Sequence, residues 1–144
     1  MANVFDVAKY ILHKEGPMST WKLQKLCYYS QAWSLAWTET PLFNENFEAW
    51  MNGPVCRELF SVHQGKFIVD EHDFPKGDYH NLNSDQEETV NIVLNDDGTM
   101  EPYELRDLSH SEKPWNEARC NLPEGASCST VISKESMGNF YGSL

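Results

Sequence analysis

A mainly α-helical domain, bundled around one buried central helix at about 20–37 with one or two short strands, is the fold class this chain predicts. Three observations predict it. First, Leu23, Leu26, Cys27, Tyr28, Tyr29, Ala32, Trp33, Leu35, Ala36 and Trp37 wrap most of the circumference of a helix, and a helix apolar nearly all round belongs in the interior. Second, helix-start and helix-stop residues recur along the rest of the chain. Third, the period-two alternation of a strand is confined to Phe47 to Met51. A length of 144 residues with 40% hydrophobic and 23% charged side chains fits one hydrophobic core, hence a single domain over 1–144.

The elements follow in order. Val4, Val7, Ala8 and Ile11 share one helical face, which places a first amphipathic helix near Ala2 to Glu15, with Gly16-Pro17 as its stop. Ser19 or Thr20 is placed to start the central helix. Pro41 follows its end. After the Phe47 to Met51 stretch, Asn52-Gly53-Pro54 reads as a turn into a third helix holding Leu59, Phe60 and Val62 and ending near Gly65, with Pro54 in its first turn. Residues 67–83 read as a polar, mobile connection with an extended piece at Phe67 to Val69. Ser84 with Glu87 is a capping-box pattern for a helix to about Leu94, stopped by Asn95-Asp96-Asp97-Gly98. Glu101-Pro102 opens a short helix to about His110, and Pro114-Trp115 opens another to about Cys120. A last helix starts from Ser133, with Ile132 and Met137 at the two positions of a hydrophobic staple and Phe140 and Tyr141 as anchors.

Charge is divided unevenly. Residues 1–66 hold six basic and six acidic side chains, whereas residues 67–144 hold five basic and sixteen acidic ones, which accounts for the whole formal charge of −11. An acidic surface serves solubility, or complements a basic partner. Direct nucleic-acid binding is disfavoured, because it draws on a basic patch to replace phosphate counterions. No apolar run is long enough to span a bilayer, and the N-terminus lacks the basic-then-apolar order of a signal peptide, so a cytoplasmic location with no membrane partner is expected.

Candidate chemistry is sparse. Cys27, Cys56, Cys120 and Cys128 match no zinc spacing and read as small packing residues, notably Cys27. A Cys–His nucleophile could be assembled from Cys27 or Cys56 with His63 or His110, but no local signature marks one. Asp70-Glu71-His72-Asp73 with Asp78 and His80 offers metal ligands at no recognised spacing, and a solvated acidic loop has the same composition. No catalytic residue, metal or cofactor is therefore expected. Lys25 stands in the first turns of the central helix, where a cation is unfavourable to the dipole; either a carboxylate partner or solvent would satisfy it. Most of Tyr28, Tyr29, Trp33, Trp37, Trp50 and Trp115 should be core, though Trp and Tyr also anchor interfaces.

The run Lys22 to Trp33, followed by Pro41-Leu42-Phe43, Glu48-Ala49-Trp50 and Gly53-Pro54-Val55, resembles the Panacea domain, the SocA-like antitoxin family also seen in phage and prophage proteins. A second block, Leu105 to Trp115, resembles that family's L-S-x-x-x-H-x-E-x-P-W pattern with a shorter Leu-Ser to His spacing, and Ile132 to Tyr141 resembles its closing helix. The family-motif positions are Lys25, Tyr28, Tyr29, Trp33, Trp50, Gly53, Pro54, His110, Pro114 and Trp115. The resemblance implies a non-enzymatic antitoxin that neutralises a cognate toxin by direct protein binding. Members pair with varied toxins, including some that act on translation or nucleotide metabolism, and the acidic second half adds the expectation of a basic partner that acts on nucleotides or RNA. Some members carry an N-terminal DNA-binding module; this chain opens directly on the first helix, so none is implied. Expected partner contacts lie at Trp50, Asn52, Gly53 and Pro54 and on the acidic second half at Asp85 and Glu88. A proteolytic adaptor for a toxin or other client, and a small Cys/His hydrolase, are the alternatives.

Overall fold

The computed structural model describes residues 2–123 and 125–144. Helix α1 is Val4–Glu15, and the central helix α2 is Thr20–Thr38. Helices α3 (Arg57–His63), α4 (Ser84–Asp97), α5 (Pro102–His110), α6 (Lys113–Arg119) and α7 (Lys134–Gly142) complete the helical set among the described residues. The mainly α class holds. Strands are more numerous than the one or two expected. Strand β1 (Met18–Ser19) pairs antiparallel with β4 (Ile68–Val69), while β2 (Phe47–Trp50) lies between β3 (Gly53–Cys56) and β5 (Val131–Ile132). Two-residue strands such as β1, β4 and β5 leave no periodicity to read in sequence.

Helix α2 is the buried organiser, as its composition demands. The Ser19 hydroxyl caps it by accepting from the Lys22 amide at 3.1 Å. Leu23, Leu26, Cys27, Tyr28, Tyr29 and Ala32 are all fully buried, and α1, α4, α5, α7 and β3 pack around the helix. Two glutamines seven residues apart fix the chain that follows. The Gln31 amide accepts from Leu42 N at 2.7 Å and donates to Phe43 O at 2.7 Å. The Gln24 amide accepts from Cys56 N at 2.8 Å and donates to Cys56 O at 3.1 Å. Each side chain supplies a strand-like pair of bonds to backbone that would otherwise be buried without partners.

Three boundaries differ from the sequence reading. Pro54 does not open a helix: it lies in β3 opposite Ala49, and α3 begins at Arg57. The alternating β2 needs a partner, and β3 is the edge strand of its sheet, where a residue lacking an N–H is tolerated. Helix α4 is capped by Asn83, whose side chain accepts from Gln86 N at 2.9 Å while Gln86 returns the bond to Asn83 N. Asn and Ser serve comparably as caps, and here the Asn83 side chain takes the position one residue before Ser84. Residues 95–97 then continue α4 instead of ending it.

The segment expected to be mobile is tied down. The buried Asp6 carboxylate, besides closing the α1 capping box with Asn3, accepts from Asp78 N at 2.8 Å and from the Asn81 amide at 3.4 Å. Phe74 and Leu82 from the same segment are buried, and the Tyr79 ring stacks on His13 at 4.6 Å.

Candidate functional site

The β2–β3 hairpin holds three of the ten family-motif residues, Trp50, Gly53 and Pro54, and Lys25 and Trp115 bond to it. Its register pairs Trp50 with Gly53, so Met51 and Asn52 form the tip. Gly53 has φ +115°, and a Cβ there would stand 2.5 Å from Lys25 Cε and 3.2 Å from Lys25 Nζ. Only glycine allows both the backbone angle and this approach. The Lys25 ammonium donates to Pro54 O at 3.1 Å and lies 5.4 Å from the centre of the Trp21 ring. Neither expected environment of Lys25 is found: it is 1% exposed and its partner is a carbonyl. Burial pushes its pKa down to about 7, since the charged form loses hydration. A sequence offers no sign of this, because Gly53 and Pro54 are distant from Lys25 along the chain.

The second motif block props the other side of the hairpin. Trp115 Nε1 donates to Trp50 O at 2.9 Å, and the His110 ring stacks on the Trp115 ring at 3.9 Å. Pro114, buried at the start of α6, sets the turn that aims Trp115 inward. Arg119, not singled out in sequence, is buried, lies over the Trp115 ring, and donates to Ala49 O at 2.9 Å and Pro123 O at 3.0 Å.

Tyr28 and Tyr29 belong to a separate buried network. Glu112 Oε1 accepts from Tyr29 OH at 2.6 Å and from Tyr141 OH at 2.8 Å, and the Tyr28 and Tyr141 hydroxyls lie 3.2 Å apart. Burial raises the Glu112 pKa against the lowering effect of the two phenols. Trp33 is half-buried and stacks on Trp37, which is 49% exposed.

Among the expected contact residues, Gly53 and Pro54 are buried and serve to hold Lys25. Trp50 and Asn52 are partly exposed, and Met51 is 44% exposed. Asp85 and Glu88 are exposed on α4, which packs on α1 and α2, whereas the hairpin packs on α2, α5 and α6. The fold therefore does not bring the two groups together. Two open cavities flank the hairpin tip. One, about 480 Å³, is lined by Trp21, Trp50, Met51, Asn52 and residues 127–129; the other, about 250 Å³, by Trp21, Lys25, Asn52, Pro102, Tyr103 and Arg106. Trp21 and Tyr103 were not legible as site residues.

The Cys27 and Cys56 thiols are poorly placed for nucleophilic work. Burial raises the Cys56 pKa to about 12 and pushes the Cys27 thiol up as well, so both are protonated at neutral pH. His63 lies 2.9 Å from the Gln24 amide nitrogen, and burial lowers its pKa. Among the described residues no group of three or more His, Cys, Asp or Glu is disposed to hold a metal ion, and no helix is long and apolar enough to cross a membrane.

Lys25, Gly53, Pro54 and Trp115 are thus committed to fixing one hairpin of a mainly helical domain. The family model for the antitoxin SocA-like Panacea domain matches residues 23–116, and the chain belongs to this family. The match runs from the first turn of α2 into α6 and leaves α1, β1, β5 and α7 outside it. Family membership points to a non-enzymatic role and to a toxin as partner in general. No curated protein and no solved structure matches the chain.

Proposed function

We propose that this protein is a cytoplasmic antitoxin that neutralises a cognate toxin by binding it directly as a folded domain. Membership of the SocA-like family carries the reading. The hairpin tip supports a location for it: Trp50, Met51, Trp21 and Tyr103 stand together at the surface around two cavities. Aromatic and methionine side chains are those enriched where interfaces are anchored. The sixteen acidic residues of the second half favour a basic partner, including one that acts on nucleotides or RNA.

The test is genetic and then physical. A neighbouring reading frame whose expression arrests growth should be rescued by this protein, and the two should co-purify with the toxin at undiminished level. Rescue with accelerated loss of the toxin would instead identify a proteolytic adaptor. No arrest from any neighbour, or rescue without association or degradation, would sink both. Association with a basic toxin should slow as salt rises.

A further inference from the structure

The cavity lined by Trp21, Asn52, Pro102, Tyr103 and Arg106 also has buried Lys25 in its lining, its ammonium 5.4 Å from the centre of the Trp21 ring. Lys25 is 1% exposed, and among the described residues no carboxylate pairs with it. An ammonium has three donors, and the one bond to Pro54 O accounts for one of them. A buried cation with an incomplete shell beside an open cavity favours an anion, because each added charge-assisted bond offsets lost hydration. The walls restrict which anion fits. Trp21 and Tyr103 are aromatic, Pro102 is apolar, and the guanidinium of Arg106 sits at the rim, held by Asp107 at 3.2 Å. A free inorganic anion would leave those apolar walls uncovered. At about 250 Å³ the cavity is smaller than the usual site for a drug-sized molecule and suits one amino-acid residue.

We propose that this cavity captures the C-terminal residue of a partner protein, its α-carboxylate toward Lys25 and an apolar side chain between Trp21 and Tyr103. A chain end fits better than an internal Asp or Glu, since it brings a carboxylate and an apolar group on the same residue. Terminal-carboxylate capture is a recurring recognition mode. The proposal rests on the reading of this protein as a toxin-binding domain and names the chemistry of the bound segment.

Titration of the full chain, followed by Trp fluorescence at matched ionic strength, tests it with four probes. N-acetyl-phenylalanine should bind saturably and about tenfold more tightly than N-acetyl-phenylalaninamide, the difference being the carboxylate. Inorganic phosphate and N-acetyl-glutamate α-amide should compete poorly. In Lys25→Met the acid and the amide should bind alike, and in Tyr103→Ala, a change at a 59% exposed side chain, both should weaken together. Circular dichroism and urea unfolding establish that each variant is folded. Equal binding of acid and amide by the wild type, tighter binding of phosphate or the glutamate probe, or no saturable response from the phenylalanine acid overturns the proposal. Toxin rescue is scored separately. If Lys25→Met loses the preference for the acid and Tyr103→Ala loses the probe, yet both rescue growth fully, partner capture by this cavity is refuted and the antitoxin reading stands.

Discussion

Replacing Lys25 with methionine should stabilise the protein at neutral pH, although it removes a buried hydrogen bond. Burial lowers the lysine pKa from 10.5 to about 7, and at 1.36 kcal/mol per unit that shift corresponds to about 5 kcal/mol against the charged form. At pH 7 the folded lysine is half deprotonated, so the cost to folding there is about 4 kcal/mol. Methionine keeps the stem and removes this cost, but leaves Pro54 O without its donor, a loss of about 1–3 kcal/mol. The net gain should be about 1–3 kcal/mol. The pH dependence separates this from a packing effect. Between pH 7 and 10.5 the unfolded chain keeps the Lys25 proton while the fold releases it, so this residue's contribution to wild-type stability rises with pH across that window. The advantage of Lys25→Met should therefore shrink by about 3 kcal/mol from pH 7 to pH 9.5. Urea unfolding of both proteins at the two pH values, by Trp fluorescence, measures it. A variant destabilised by more than about 1 kcal/mol at pH 7, or a difference independent of pH, would refute the assignment of Lys25 as a costly buried cation.

Gly53→Ala should destabilise by about 2–4 kcal/mol, since its Cβ meets Lys25 Cε at 2.5 Å and its φ of +115° is strained for any L side chain; a thermal midpoint within a few degrees of wild type would contradict the packing described. Burial, then Asp96 and Glu112, raise the Asp97 pKa to about 6, so its folded form holds a proton that the unfolded chain has lost, and stability falls as pH rises from 3.8 through 6. Asp97→Asn should then gain about 1 kcal/mol at pH 7, discounted for its partial exposure, and nothing at pH 3.5; a gain equal at both pH values would remove the carboxylate from the explanation. Cys27→Ala and Cys56→Ala should rescue toxin-arrested growth as well as wild type wherever the variants remain folded, and loss of rescue by a folded variant would revive the hydrolase alternative.

The helices were legible because each carries its own punctuation. Ser19 and Ser133 cap by side-chain bonds as their positions suggest, and Ile132 and Met137 are both buried as a staple requires; the Asn3 cap of α1 went unread. What escaped the sequence is long-range. Gln24 and Gln31 look like ordinary polar residues in an apolar helix, yet each completes the backbone of a distant segment. Pro54 was misplaced because local rules favour proline at a helix start, whereas sheet pairing with Ala49 decided its role. The hairpin tip was expected as a contact surface, but Gly53 and Pro54 turned out to be buried against Lys25. Trp21, Tyr103 and Arg106 share a cavity only through the packing of α2, the hairpin and α5.

Helix α7 bears on when the protein can begin to function. It packs along α2, places Tyr141 on Glu112, and follows β5, which supplies the outer partner of β2. All of this lies beyond residue 116, where the family match stops. A nascent chain that has exposed α2 and the hairpin to solvent still has Tyr28 and Trp33 without their covering helix. Closing the core around α2 therefore calls for residues 131–142, which are translated well after it. Ribosome-stalled chains with α7 still in the exit tunnel should be protease-sensitive, while those with α7 released should resist. Protection of both would show that α2 closes its core without α7. The interval between translating α2 and translating α7 is then a window in which the central helix has been made and the helix that covers Tyr28 and Trp33 has not.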